Sequence, residues 1–407
     1  MRRVVVTGMA GISSLGDDWP AVRERLQRMT NAVMRIDEWA GYEGLHCQLG
    51  APVTDFLPPS HYPRKKTRSM GRVALLAVRA SEKALQDAGL SEDPVISSGR
   101  TGVAFGSSVG STAAIADFGY MLLEHRLGKL NANTYLKMMG HTTAVNVALF
   151  FQVRGRVIPA VSACTSGSQA IGFSYEAIKY GHQDVMIAGG AEELCPTEVA
   201  VFDTLYAASI RNDQPRSTPR PFDRDRDGLV LGEGAGALIL EERQHALARG
   251  ATIHAEVVGF GTNADGAHVT QPSRDTMQRA MELALDDAAV PPREIGYISA
   301  HGTGTKHGDV AESWATHTVY GETTPVSTLK SYTGHTLGAC GVLEAWAAIE
   351  MMRDGVFHPN LNLEQVDPEC AHLDYIVGQM RRIECEWVAS HNFAFGGINT
   401  ALIFKRC

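Results

Sequence analysis

The stretch Val161-Ser162-Ala163-Cys164-Thr165-Ser166-Gly167-Ser168-Gln169-Ala170-Ile171-Gly172 decides how the rest of the chain is read. It follows the apolar run Arg156–Val161 and leads into an amphipathic segment, Ser168–Tyr180. Apolar run, small-residue turn and helical spacing together predict a strand, a tight turn and a helix, with Cys164 at the bend. The small neighbours Ser162, Ala163, Ser166 and Gly167 suit a crowded turn. Unpaired N–H groups at the start of a helix favour a thiolate over a thiol, which makes Cys164 a candidate nucleophile. A buried cysteine acting as a small hydrophobe is the commoner fate of a single Cys, and the turn alone does not decide between the two.

Working outward, the elements on either side repeat. Arg2–Met9 is a β-branched run that predicts a buried strand, and Ala251–Thr262 opens the second part in the same way. Thr101–Ser108 and Ile295–Gly304 are both strands running into small-residue loops. Thr165–Gly181 is matched by Gly334–Gly355, again a small-residue turn before an amphipathic helix. The pair Asp184–Gly190 and Gly236–Glu241 is matched by Trp387–Phe404. Equivalent βα halves predict a duplicated α/β fold with two central sheets and helices between and outside them. The join falls near Arg243–Gly250, giving domains 1–250 and 251–407. Helices are expected over Trp19–Thr30 and about Ser69–Ala88, with Gly89 as the C-cap glycine and Gly41–Pro59 as an irregular loop.

Composition narrows the function. With 407 residues, 44% apolar and 20% charged, the chain has ordinary globular values and can bury a large core. A net charge of −8 argues against nucleic acid as the main partner. No run approaches the roughly 20 apolar residues of a membrane span, and the N-terminal apolar run is too short for a signal peptide. The cysteines number 7, scattered and never in C-x-x-C spacing, which predicts a reduced cytoplasmic protein with neither disulfides nor a zinc cluster.

Three glycine-rich stretches of the second half can present polar groups to a cleft: Ser299–Thr305 with His301, Thr328–Thr336 with Lys330 and His335, and His391–Asn399 with Phe395. Two histidines, each ending a strand-like run, join Cys164 in a Cys-His-His constellation. Asp223-Arg-Asp225-Arg-Asp227-Gly228 begins like a calcium loop, but Gly234 stands where a bidentate Glu is needed, so structural ion pairs are expected instead. Neither Gly106–Gly110 nor Gly302–Lys306 has nucleotide-binding spacing.

Ser162-Ala-Cys164, His301-Gly-Thr-Gly-Thr305, Lys330-Ser-Tyr-Thr-Gly-His335 and Asn392-Phe-Ala-Phe-Gly-Gly397, in this order over nearly the whole chain, resemble the thiolase superfamily. Specifically, the set is similar to the elongating, Cys-His-His β-ketoacyl-[acyl-carrier-protein] synthases. Pro221–Gly228 and Gly232–Gly236 are similar to a further stretch of that family. The resemblance implies a thiolase-like duplicated fold of five layers (αβαβα) and a decarboxylative condensation of malonyl-carrier with an acyl group held on Cys164. It implies that His301 and His335 stabilise the enolate, that Lys330 and Glu312 form a supporting pair, and that the Cys164 and Phe395 amides form the oxyanion hole, with Phe395 as gate. Thr303 and Thr305 would hold the phosphopantetheine arm, which arrives on the carrier, so no cofactor and no metal is expected. The acyl carrier protein is the implied partner, docking on Arg64, Lys65, Lys66, Arg68 and Arg72 with Arg211 as a further contact, because carriers are acidic. A dimer, with an identical or a homologous chain, is implied as well.

The chain departs from the family at Lys306 and His307, expected to face solvent at the carrier entrance, and at Ile398, which replaces a Thr. Asn146, Ser107–Ser111 and Met138–His141 are expected to line or flank the acyl pocket. A degradative thiolase, kept as a further alternative, expects a second cysteine in the C-terminal glycine-rich loop, where Asn392–Gly397 has none, and the presence of Cys164 argues against a chain-length factor. The wording around Cys164, Gly190–Pro196 and Asn392–Asn399 resembles synthases of aryl polyene pathways, with fatty-acid elongation as the alternative.

Overall fold

The computed structural model describes residues 1–407. Its main sheet has 11 strands. These are β1 (Val4–Ser13), β2 (Thr101–Gly106), β3 (Val157–Pro159), β4 (Val185–Glu192), β5 (Gly234–Glu242) and β6 (Ala255–Ala264). They continue as β7 (Ile295–Ser299), β8 (Pro325–Ser327), β9 (Asp374–Tyr375), β10 (Trp387–Ala394) and β11 (Ile398–Lys405). Across the sheet they run β9-β8-β7-β10-β11-β6-β1-β5-β4-β2-β3.

That order is one motif written twice. In the first half β3-β2-β4 are parallel, and β5 and β1 continue antiparallel. In the second half β8-β7-β10 are parallel, and β11 and β6 continue antiparallel. The sequence predicts two central sheets, but the sheets of the two halves are joined. Val4–Val6 pair with Ala255–Val257, so a short antiparallel ladder makes one continuous sheet. The physical reason is that β1 and β6 are each the edge of their half, and an unpaired edge seeks a partner strand.

Alternation along the strands then sets the layers. On β5, Leu238 and Leu240 face a central apolar cluster, while Ala237 and Ile239 face an outer one. On β11, Leu402 and Phe404 face the same central cluster and Ala401 and Ile403 another outer one. The outer faces are covered by α1 (Arg72–Asp87) on one side and by α3 (Arg274–Ala288) with α4 (Lys306–Tyr320) on the other. The middle is filled by α2 (Ser166–Lys179) and α5 (Cys340–Asp354), through Ile171, Ile178, Val342 and Trp346. The result is the thiolase-like αβαβα stack.

Local expectations shift slightly. The helix expected over Trp19–Thr30 spans Trp19–Gln27, and α1 starts at Arg72 after an extended Gly71, with Ser69 bonded to Asn146 (2.8 Å) ahead of it. Leu49–Ala51, inside the expected loop, pairs with Met34–Arg35 and Leu231–Gly232; partners so distant in sequence leave no local signal. No helix is long and apolar enough to cross a membrane.

At the centre, α2 and α5 begin against each other. A Cβ on Gly167 would lie 2.9 Å from the Val342 nitrogen, and one on Gly341 would lie 2.6 Å from the Ser168 nitrogen. These glycines hold equivalent places, each the second residue of its helix. Replacing Gly341 by Val should therefore lower stability by about 3 kcal/mol through overpacking against backbone. Gly119→Ala, where an added Cβ meets nothing within 4 Å, should leave the denaturation midpoint unchanged or slightly raised. Parallel urea titrations of the two variants check this.

Candidate active site

The turn after β3 takes a 3-10 form over Ala163–Thr165, with Ala163 at φ +50, and passes directly into α2. This places Cys164 at the bend, as the sequence predicts. The equivalent turn, Leu337–Ala339, has Leu337 at φ +43 and leads into α5. Gly338 thus stands where the first half has Cys164. A Cβ on Gly338 would come within 2.7 Å of the Ser107 Cα, so this second turn has no room for a side chain.

The structure brings the three expected groups together. His335 Nε2 is 3.0 Å from Cys164 Sγ, and the His301 and His335 rings meet edge-on with centroids 5.2 Å apart. All three residues are buried. Their neighbours set the tautomers. The Leu337 amide donates to His335 Nδ1 (3.2 Å), and the Lys330 ammonium donates to His301 Nδ1 (3.1 Å). An Nδ1 that accepts cannot carry the proton of a neutral ring, so both imidazoles keep theirs on Nε2. Burial, then the Lys330 charge, hold both rings well below the usual histidine range. The pocket therefore presents two N–H donors from uncharged rings.

Lys330 is itself buried. Burial opposes its charge, but Glu344 outweighs this and holds the ammonium above its usual range. The expected Lys330–Glu312 pair is not what forms: the carboxylate bonded to Lys330 is Glu344. Glu312 instead accepts the backbone N–H groups of His301 (2.6 Å) and Gly302 (2.7 Å), fixing the loop that carries the histidine. Burial pushes Glu312 up to about 8. Glu344 had one legible signal, a lone carboxylate in the otherwise apolar run Gly341–Ile349.

The thiol also departs from expectation. Burial pushes Cys164 up to about 11, and this outweighs the Phe395 amide, the Lys330 charge and the cysteine's own amide, which favour the thiolate. The resting site is a neutral thiol beside neutral imidazoles. Cys, His and His are a possible metal-ligand set, with donor atoms within 4.8 Å of one another, but the adjacent ammonium opposes a second positive charge.

A cavity of about 480 Å³ opens over this centre, lined by Cys164, His301, His335, Thr303, Thr305 and Phe395 among others. The Thr303 and Thr305 hydroxyls are 3.0 Å apart. Lys306 and His307 are exposed and line the cavity too. Phe395 is 37% exposed and meets Phe202 edge-on, followed by Gly396 and Gly397 at φ +93 and +76. Asn146 is buried on Ser69 and Thr142 and is not part of this cavity wall. Of the basic cluster, Arg64, Lys65, Lys66 and Arg68 are exposed, and Lys66 bonds the Phe150 carbonyl (2.8 Å). Arg72 is taken by Glu233, and Arg211 is tied to the Asp225 carbonyl (2.6 Å) beside Asp227. The Asp223–Asp227 stretch forms ion pairs, Arg220 with Asp223 and Arg226 with Asp309 and Asp367.

The sequence matches the family described as Beta-ketoacyl synthase, N-terminal domain, over residues 1–246, and Beta-ketoacyl synthase, C-terminal domain, over residues 254–364. The chain belongs to the β-ketoacyl synthase family. It is 36% identical to 3-oxoacyl-[acyl-carrier-protein] synthase 2 of Synechocystis, covering 100% of this chain and 98% of that one. A crystal structure of a β-ketoacyl synthase from Burkholderia phymatum is 59% identical with a TM-score of 0.99, and each chain covers 100% of the other. The ishigamide ketosynthase/chain length factor structure is 33% identical with a TM-score of 0.90, covering 100% of this chain and 99% of that one. The chain is thus an acyltransferase of the condensing type, and synthases of this family need no cofactor of their own.

With its thiol raised to about 11, Cys164 should gain reactivity steadily between pH 6 and pH 9, about tenfold per unit, as the thiolate fraction grows. Iodoacetamide labelling of Cys164, followed by mass spectrometry, measures this. A rate already flat above pH 6 would mean a preformed thiolate.

Proposed function

We propose that Cys164, His301 and His335 carry out a decarboxylative Claisen condensation on carrier-bound substrates. The observation that supports this reading is the pair of neutral imidazoles, both offering Nε2–H into the cavity next to Cys164. In the first step the Cys164 sulfur attacks the thioester carbonyl of an acyl-carrier. Its proton passes to the departing carrier thiolate, and the acyl group stays on sulfur. Malonyl-carrier then enters, its phosphopantetheine arm held by Thr303 and Thr305. The bond between Cα and the carboxylate breaks, CO₂ leaves, and the electron pair becomes an enolate whose oxygen accepts from His301 and His335. The enolate carbon attacks the acyl-cysteine, the oxyanion accepts from the Cys164 and Phe395 amides, and collapse expels the cysteine thiolate, which takes up one proton from water. Lys330 and Glu312 serve as positioning residues, and Phe395 moves as the gate.

The partner in this reading is an acidic acyl carrier protein, docking on the exposed Arg64, Lys65, Lys66 and Arg68 in the cytoplasm. Arg211 can contribute only by leaving its present bonds. The halves 1–250 and 251–407 act as one unit, since the nucleophile comes from the first and both histidines from the second. Dimerisation uses the free edge of β3, whose Val157 is exposed at the end of the sheet. For the pathway, the motif wording favours polyunsaturated, aryl polyene-type chains. Fatty-acid elongation is the second reading, favoured by the name of the Synechocystis relative.

Replacing His301 or His335 by Ala should lower malonyl-carrier decarboxylation at least 100-fold, the scale of losing one preorganised donor. Cys164→Ala should abolish the acyl-enzyme while decarboxylation persists. Mass spectrometry of carrier-bound species reads both, and a Cys164 that never acquires an acyl group would overturn the reading. Products from saturated, polyenoyl and aryl acyl-carriers decide between the pathways.

A further inference from the structure

The Asn392 side chain, buried on β10, is used by nothing in the mechanism above, yet it sits where the groups of the site meet. Its Nδ2 donates to Glu344 Oε2 at 2.7 Å. The same nitrogen lies 3.4 Å from His301 Nδ1 and 3.6 Å from Cys340 Sγ. Cys340 in turn donates its S–H to the Cys164 carbonyl oxygen (3.2 Å). The amide orientation is dictated by charge. Flipped, Asn392 would aim its oxygen at the Glu344 carboxylate, two acceptors in contact inside a dry core. In the orientation present, one N–H serves Glu344 and the other is shared between His301 and Cys340.

We propose that Asn392 is a positioning residue for the condensation: it holds His301 as the Nε2–H donor and ties it to the backbone of the nucleophile. This rests on the condensing reading of the same centre. Lys330 does not do the task alone, because its ammonium bonds Glu344 as well as the ring, so its place depends on where that carboxylate stands. Asn392 fixes the second oxygen of Glu344, and so fixes the direction from which Lys330 meets the ring. Its backbone is pinned as well, with Thr400 Oγ1 donating to the Asn392 carbonyl (3.1 Å). The residue accepts a cost for this place. Its Oδ1 is buried without a partner, a departure that native structures rarely keep without a function.

The role separates the two half-reactions. Acylation of Cys164 does not use His301 as an enolate donor, whereas decarboxylation does. Asn392→Ala and Asn392→Ser should therefore slow malonyl-carrier decarboxylation about tenfold or more, the scale of losing an orienting partner, with Cys164 acylation changed less than twofold. Without the amide N–H, the His301 Nδ1 lone pair is less engaged and the ring takes up a proton more readily. The acid limb of the decarboxylation profile should then move to higher pH, further in Asn392→Asp, where a carboxylate faces the ring. Thermal melting run alongside shows which variants fold, and the Ser substitution, smaller and still polar, covers the case in which Ala does not. The proposal is overturned if both half-reactions fall in parallel with an unmoved acid limb, or if any folded variant condenses at the native rate. The wild-type enzyme's own condensation, measured in the same assay, tests the underlying reading separately.

Discussion

The site depends on how closely two helices can start. Gly167 and Gly341 let the first turns of α2 and α5 meet backbone to backbone, and no side chain could stand at either place. Because each helix is preceded by an equivalent turn, this contact draws the two turns together. One carries Cys164; the other is reached within two residues of His335. The distance of 3.0 Å between Sγ and Nε2 is thus a product of packing deep in the central layer, not of any flexible loop finding its target.

Around this contact the chain buries charge sparingly. One ammonium, Lys330, is retained and matched by Glu344; burial keeps the thiol neutral against that charge, and burial together with the charge keeps both imidazoles neutral. A lone buried ammonium would be untenable, and a buried pair is costly to break. The arrangement makes sense if the field of Lys330 acts on its neighbours: it keeps both rings as donors and will favour any anion that forms beside them.

Much of this was legible in the sequence. Strand-turn-helix around Cys164, its echo at Gly334–Gly355 and the two glycine-rich histidine loops follow from local spacing, and the repeated topology bears out the echo. What escaped has a common cause, since it depends on partners far apart in the chain. Glu312 was paired with Lys330, but Glu344, 14 residues away on α5, reaches the ammonium. Arg72 reads as part of a basic run until Glu233, 161 residues on, engages it. The thiolate expected at a helix start assumed solvent, and burial reverses the balance. The joining of two sheets through Val4–Val6 is likewise a property of edges, which composition does not encode.

The second turn, with Gly338 at its bend, makes the two halves unequal in chemistry though alike in fold. The repeated βα unit presents two equivalent turns at the centre, each a place for a nucleophile. Gly338 forecloses the second, because Ser107 and Glu192 occupy the space a side chain would need. The repeat thereby divides the labour: one copy supplies the reactive sulfur, and its twin, with no side chain at the matching place, supplies the groups that steer electrons.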